Sequence, residues 1–77
     1  MNQMKFARLD QHLSQDDLGR DTRIGQWFIS LLELGSGIPS EDQRLRIARR
    51  LGLNPADILK PVVVSTAAPI EQEQAAR

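Results

Sequence analysis

The sequence contains no cysteine and a single histidine, His12. Without cysteine there is no disulfide, thiolate zinc site or cysteine nucleophile, and one histidine argues against a histidine metal site. No apolar run approaches the roughly 20 residues that span a bilayer, and the N-terminus lacks the apolar stretch of a signal peptide. There is no convincing acid–base pair or glycine-rich phosphate loop. We therefore expect a cytoplasmic protein that is not an enzyme and needs no metal, cofactor, membrane or small-molecule substrate.

An excess of basic charge is also lacking, because ten Lys and Arg residues balance ten Asp and Glu residues. Domains that bind nucleic acid are usually basic, so any case for DNA depends on where individual charges lie. The chain has 77 residues, and a core of that size contributes only about 3–5 kcal/mol of net stability. Since no disulfide can add to it, a partner chain is the remaining way to stabilise the fold.

Turn and capping residues divide residues 1–60 into five short helical segments. Ser14 and Ser40 are each followed three residues later by a side chain that can complete a capping box, and Gly52 is placed to end a helix. We predict helices over about residues 2–11, 15–21, 26–34, 41–51 and 55–60. Residues 61–77 form a separate tail, which is either disordered or an edge strand or helix that forms on dimerisation.

The second and third predicted helices are separated by a short turn at residues 22–25, which is the arrangement of a helix-turn-helix. Matching patterns continue along the chain. They are Leu13-Ser14-Gln15-Asp16-Asp17-Leu18-Gly19, Ile24, Ile29-Ser30-Leu31-Leu32-Glu33, Gly35, Pro39-Ser40, Leu45, Ile47-Ala48, Leu51-Gly52-Leu53 and Pro55-Ala56-Asp57-Ile58-Leu59. Over about residues 4–60 the sequence resembles the Xre/Cro-type, lambda repressor-like helix-turn-helix DNA-binding family. The resemblance implies an all-α, compact five-helix domain with the helix-turn-helix at helices two and three.

The apolar spacing agrees with such a fold. Residues that can meet between helices two and three are Leu18, Ile24, Ile29 and Leu32. Residues that can close the core from the other side are Leu13, Leu45, Ala48, Leu51, Leu53, Ile58 and Leu59. Gly19 stands where the family places a small residue, because a long side chain there would push helices two and three apart.

The resemblance also assigns candidate site residues. The base contacts it implies are Gln26, Trp27, Ser30 and Leu31, on the outer face of the third helix. The phosphate contacts it implies are Gln15 and Ser36, and it implies a structural ion pair between Arg8 and Glu33. We add Arg20 and Arg23 as phosphate contacts because both are basic and flank the turn. Two positions depart from the family, since Arg23 and His12 each replace a commonly found glycine.

The outer face of the third helix leaves two functions open. Bases are usually read by Arg, Lys, Asn or Gln, yet Gln26 is the only long amide there and Trp27, Leu31 and Leu34 are apolar. The first hypothesis is a sequence-specific transcriptional regulator, either a repressor or an activator, of bacterial or phage origin. The second is a protein-interaction module, such as an antitoxin or co-regulator, whose apolar face binds a protein. Four arginines on the fourth helix fit a DNA contact or an ordinary solvated face.

The family's use of two-fold operators predicts a homodimer on a palindromic site in double-stranded DNA. We expect the protein to be associated with the bacterial nucleoid. One recognition helix contacts too few bases for useful specificity. The residues we expect at the dimer interface are Ile58, Leu59, Val62, Val63 and Val64, because the valines have no obvious place in the core.

Overall fold

A computed structural model of the chain describes residues 1–63, and this part is all-α. Its four α-helices are α1 (Gln3–Asp10), α2 (Gln15–Thr22), α3 (Gln26–Glu33) and α4 (Glu41–Leu51). The predicted fifth helix is wrong, because only a single 3₁₀ turn forms there, over Pro55–Asp57. No helix among the described residues is long and apolar enough to cross a membrane.

The chain after the 3₁₀ turn makes a turn at Ile58 and Leu59 and then bonds to the N-terminus, where Pro61 forms an isolated antiparallel bridge with Asn2. The carbonyls of Ile58 and Lys60 accept the N–H groups of Met4 and Gln3, both at 2.9 Å. The carbonyl of Met1 then accepts the N–H of Val62 at 3.1 Å. The first two bonds satisfy first-turn donors of α1 that have no partner inside the helix, and Pro61 has no N–H with which to continue a helix.

Asn2 connects α1 to α3 across the domain. Its side-chain oxygen accepts the N–H of Lys5 at 3.0 Å and so caps α1. Its amide nitrogen donates to the carbonyl of Leu32 at 2.9 Å, near the end of α3. The residue is only 8% exposed, so this amide fixes the end of α3 from inside the fold. The sequence pattern predicted Asn2 inside the first helix, whereas Asn2 is the N-cap residue of α1.

The capping residues act as predicted at the helix N-termini. Ser14 and Ser40 each form a complete capping box, with Asp17 and Gln43 as the respective partners. Asn54 caps the 3₁₀ turn by accepting the N–H of Ala56. These interactions are local, and each N-cap is worth about 1 kcal/mol.

Each of the four helices is followed, one or two residues after its last residue, by a residue with a positive φ. In each case the following residue donates its N–H to a carbonyl five positions back, which is the bond of a Schellman motif. The donor and acceptor pairs are Leu13 and Arg8, Ile24 and Gly19, Ser36 and Leu31, and Leu53 and Ala48. Gly35 and Gly52 adopt this conformation easily, but His12 and Arg23 also hold φ at 59°. The two positions where the sequence departs from glycine are therefore the two where a side chain is strained.

The core confirms the residues predicted between α2 and α3. Leu18, Ile24, Ile29 and Leu32 are all buried, and Met4 and Ile47 join them although the sequence analysis did not include them. The other buried members of the hydrophobic core are Ala48, Leu51 and Ile58, with Leu13, Leu53 and Leu59 partly buried against them.

Leu45 was wrongly predicted as a core residue, since it is 42% exposed. The buried face of α4 is formed by Ile47, Ala48 and Leu51. At about 100° per residue, Leu45 lies to the side of that face. The prediction for Gly19 is confirmed, because a Cβ there would lie 2.7 Å from the carbonyl oxygen of Ile24. Gly19 therefore lets the turn before α3 approach α2 closely.

Candidate nucleic-acid interface

The two sides of α3 differ sharply in burial. Ile29 and Leu32 are fully buried and Glu33 is buried beside them. On the opposite side Gln26 is exposed, Trp27 is 70% exposed, and Leu34 just beyond the helix is 72% exposed. The predicted base contacts Ser30 and Leu31 are half-buried at the edge of this surface. Buried and exposed sides of α3 follow the predicted phase.

The indole of Trp27 lies over the N-terminus of α3. A Cβ built on Gly25 would be 3.1 Å from both Cδ1 and Nε1 of that ring. Gly25 is the N-cap residue of α3 and makes no side-chain capping bond. The missing side chain therefore gives the indole its place, and the ring also contacts Phe28, with ring centroids 5.6 Å apart and tilted by 60°.

The outer face of α3 carries no charge. The helix sequence is QWFISLLE, and its only ionised residue, Glu33, is on the buried side. Gln26 is thus the one long polar side chain that α3 presents. We call the surface formed by Gln26, Trp27, Leu31 and Leu34 the reading face.

Glu33 is bound in an ion pair with Arg8. Arg8 Nε donates to Glu33 Oε2 at 2.6 Å, and Arg8 Nη2 donates to Oε1 at 3.0 Å. The two side chains are 8% and 2% exposed. Arg8 also donates to the carbonyl of Leu13 at 2.8 Å, so the pair joins α1, its terminal turn and α3. The structure thus brings together the two residues for which the sequence predicted an ion pair.

The predicted phosphate contacts differ in what remains available. Gln15 Nε2 donates to Glu33 Oε1 at 3.1 Å, which leaves one amide hydrogen and the amide oxygen for another partner. Arg20 pairs with Asp16 and, at 2.7 Å, with Asp17 on its own helix. Because all three of these side chains are at least 40% exposed, the ion pairs are weak and DNA could displace them.

Arg23 and Ser36 lie at the two ends of α3. Arg23 is exposed, and within residues 1–63 its guanidinium has no carboxylate partner. The backbone N–H of Ser36 is already donated to Leu31 at 2.9 Å. Only the hydroxyl of Ser36 is therefore free for a phosphate, and Arg23 is the stronger candidate.

The arginines of α4 mostly serve the fold. Arg44 donates to the carbonyl of Pro55 at 3.3 Å and Arg46 to that of Thr22 at 2.6 Å. Arg50 pairs with Asp21 at 2.7 Å. Arg49 is exposed, and it has no acidic partner among the described residues.

The carboxyl of Asp17, at the start of α2, has a lowered pKa. The backbone N–H of Ser14 donates to its carboxylate and lowers the pKa below the ordinary value, the Ser14 hydroxyl acts in the same direction, and Arg20 adds to the effect. Asp17 is therefore ionised at neutral pH, where it completes the cap of α2.

The predicted dimer surface is only partly available. Ile58 was wrongly placed there, because its side chain is fully buried in the core. Leu59 and Val62 are half-buried, Val63 is 84% exposed, and Val64 lies outside the described residues. A shallow hollow beside these residues is lined by Met1, Asn2, Glu33, Leu34, Gly35, Leu59 and Pro61, and it reaches the C-terminal end of α3.

Ile38 is an exposed residue that the sequence analysis missed. It is 88% exposed in the loop between α3 and α4. A Cβ on the preceding Gly37 would approach Phe28 and Leu32 within 3.3 Å, so the loop is held against α3. An isoleucine between a glycine and a proline was the available signal.

Within residues 1–63 no three His, Asp or Glu side chains are grouped to hold a metal ion.

The comparison with known families agrees with this geometry. The helix-turn-helix family, of the Xre/lambda repressor-like type, matches residues 4–58. The chain therefore belongs to this family of DNA-binding, non-enzymatic domains. No curated protein and no solved structure matches the chain significantly.

Proposed function

We propose that the chain is a sequence-specific DNA-binding transcriptional regulator of bacterial or phage origin. It acts in the cytoplasm as a homodimer on a palindromic operator, with the reading face of α3 in the major groove. Gln26, Trp27, Ser30 and Leu31 contact bases, while Arg23 leads the phosphate contacts. Gln15 and Ser36 contact phosphate through the polar groups that their bonds within the protein leave available. Arg20 contacts phosphate once DNA displaces its ion pairs with Asp16 and Asp17.

The observation that carries the proposal is the exposed outer side of α3 inside a helix-turn-helix of this family. A helix whose inner side is fully buried and whose outer side is exposed can enter a groove without unfolding anything. Phosphate contacts position such a helix and base contacts give it specificity. Arg23, at the turn before α3, is placed for the first task and Gln26, at the start of α3, for the second.

Selection of bound sequences from a random duplex pool tests the proposal. A regulator of this kind enriches a palindromic motif whose half-sites lie about one helical turn apart. The charge-neutral variant Arg23→Gln should weaken binding to selected and unselected duplexes alike. Failure to enrich any motif would contradict the proposal.

The homodimer rests on the surface beside the C-terminal segment. Met1, Leu34 and Leu59 line one hollow together with Pro61. Val62 and Val63 follow Pro61 directly, and the N–H of Val62 is donated to the carbonyl of Met1. Removing residues 62–77 and measuring the mass by sedimentation at micromolar concentration tests the role of the tail. A full-length dimer that becomes a monomer supports it, whereas a full-length monomer contradicts it.

A protein-interaction module is the second candidate, and the apolar reading face favours it. Trp27 and Leu34 are more than two-thirds exposed, and the sequence has zero net charge. An apolar protein interface responds little to salt, whereas DNA binding weakens steeply as salt rises. The salt dependence of whichever complex forms therefore separates the two candidates.

A further inference from the structure

The side chains of α3 limit which bases it can read. Guanine is most often recognised by Arg or Lys, which donate to its O6 and N7 atoms. The helix QWFISLLE contains neither residue, and the apolar Leu34 and Ile38 follow it. The commonest guanine contact is therefore unavailable to α3.

Two kinds of contact remain for the reading face. Gln26 can donate to N7 and accept from N6 of adenine. The apolar atoms of Trp27 and Leu31 match only one feature of the major groove, which is the C5-methyl group of thymine. Apart from small C–H groups such as C5–H of cytosine, the other groups that the bases present in this groove are hydrogen-bond donors or acceptors, and an apolar side chain that covered them would leave them unsatisfied.

The indole of Trp27 already lies against the fold in the chain without DNA, although the residue is 70% exposed. It lies over Gly25, where a Cβ would come within 3.1 Å of two ring atoms, and against Phe28. A ring that is already positioned loses little conformational freedom on binding. It can therefore select among small differences in the groove, such as the presence of one methyl group.

We propose that α3 recognises thymine through its C5-methyl group, with Trp27 as the reading residue and Gly25 as the residue that positions its indole. The inference rests on the DNA-binding function proposed above and specifies its substrate as duplexes with A·T pairs in each half-site. Because the contact is to a methyl group alone, 5-methylcytosine at the same position should replace thymine in part.

The test uses the full-length chain and the duplex that selection enriches. Each thymine of the half-sites is replaced in turn by uracil, which removes the methyl group and keeps every hydrogen-bonding group. Burial of one methyl group corresponds to about a fourfold change in affinity. We expect about a fourfold loss at one or two positions of each half-site, and no change elsewhere. Replacing the critical T·A pair by C·G should weaken binding, and 5-methylcytosine in its place should restore part of the loss.

Two variants assign the effect to the indole. Trp27→Ala should bind the thymine and uracil duplexes equally, since the ring that contacts the methyl group is gone. Gly25→Ala should reduce the ratio between them while leaving the helical circular dichroism unchanged, because the new Cβ displaces the ring and the φ of −58° at Gly25 suits alanine. Phe6→Ala removes another exposed aromatic ring, on α1, and should leave the ratio intact.

The outcomes separate this inference from the proposed function. If a motif is enriched but every uracil duplex binds as tightly as its thymine parent, methyl recognition is wrong and DNA binding stands. A ratio that Trp27→Ala leaves unchanged overturns the role of Trp27. If no motif is enriched at all, the proposed function and this inference both fail.

Discussion

The third and fourth helices use their polar residues in opposite ways. α4 carries four arginines, and three of them bond to other parts of the fold. α3 carries no basic residue, and it leaves Trp27 and the neighbouring Leu34 exposed. The arginines of α4 thus mainly hold the domain together, while the reading face of α3 is neutral. A contact with phosphate therefore depends on the positions of Arg20 and Arg23 beside α3, which the net charge does not describe.

The largest effect should come from the buried side of α3. Arg8→Met leaves Glu33 buried without its partner, which costs about 3–5 kcal/mol of unfolding free energy. The double substitution Arg8→Met with Glu33→Leu should recover most of that loss, since no buried charge remains. Unfolding in urea measures the double variant, and the helical circular dichroism shows whether Arg8→Met still folds.

A surface pair provides the control for this prediction. Arg50→Met breaks the ion pair with Asp21, whose side chains are 35% and 43% exposed, and such a pair contributes about 1 kcal/mol or less. Equal losses for Arg8→Met and Arg50→Met would contradict the distinction between buried and exposed pairs.

The next effect concerns hydrogen-bonded base readout. Gln26→Ala should remove about 1–3 kcal/mol of discrimination at one base pair of each half-site. The measurement is the affinity of wild type and variant for operators with every base substituted in turn. A uniform loss over all positions, with none relaxed, would show that Gln26 does not read a base.

Glycine substitutions at His12 and Arg23, the two strained residues with positive φ, should separate effects on stability from effects on DNA binding. Glycine adopts φ of 59° without the cost of about 1–2 kcal/mol that a side chain incurs there, but it also makes the unfolded chain more flexible. His12→Gly and Arg23→Gly should therefore each gain about 0.5–1 kcal/mol in unfolding free energy.

Only one of these substitutions should change DNA binding. Arg23→Gly removes the phosphate contact and should reduce the slope of log affinity against log salt by about 1 per protomer. His12→Gly should leave the slope unchanged and serves as the matched control. If Arg23→Gly bound DNA as the wild type does, Arg23 would not contact phosphate.

The smallest effect is the pH dependence of the α2 cap. The pKa of Asp17 is lower in the folded chain than in the unfolded one, because Ser14 and Arg20 favour its ionised form. The contribution of Asp17 to stability is therefore complete above the ordinary aspartate pKa and is lost as pH falls through the lower folded value. NMR titration measures the pKa of Asp17 in the folded chain. Unfolding of the wild type and of Asp17→Asn at several pH values measures the contribution of Asp17 to stability. A pKa at or above the ordinary value would contradict the cap.

Local features of the fold could be predicted from the sequence, and long-range ones could not. The capping boxes at Ser14 and Ser40 depend on residues three apart, and the buried side of α3 follows from helical periodicity. The prediction of a fifth helix was wrong because the segment after Pro55 bonds to the N-terminus, which is far away in the sequence.

The candidate site shows the same division. The exposure of Gln26 and Trp27 follows from their phase on the helix. The bond from Gln15 to Glu33, and the position of the indole over Gly25, depend on contacts that periodicity does not contain. Ile38 was missed because loop residues have no periodic pattern to place them.

The central claim is that a domain with a neutral reading face binds DNA. The most direct test measures its affinity for the selected duplex and for a scrambled duplex between about 50 and 200 mM salt, because phosphate contacts weaken measurably over this range. If Arg20 and Arg23 of two protomers contact phosphate, the slope of log affinity against log salt should be about −2 to −4. The preference for the selected duplex should persist at the highest salt, because the reading face is uncharged. Equal affinity for both duplexes, or no binding to either, would contradict the account.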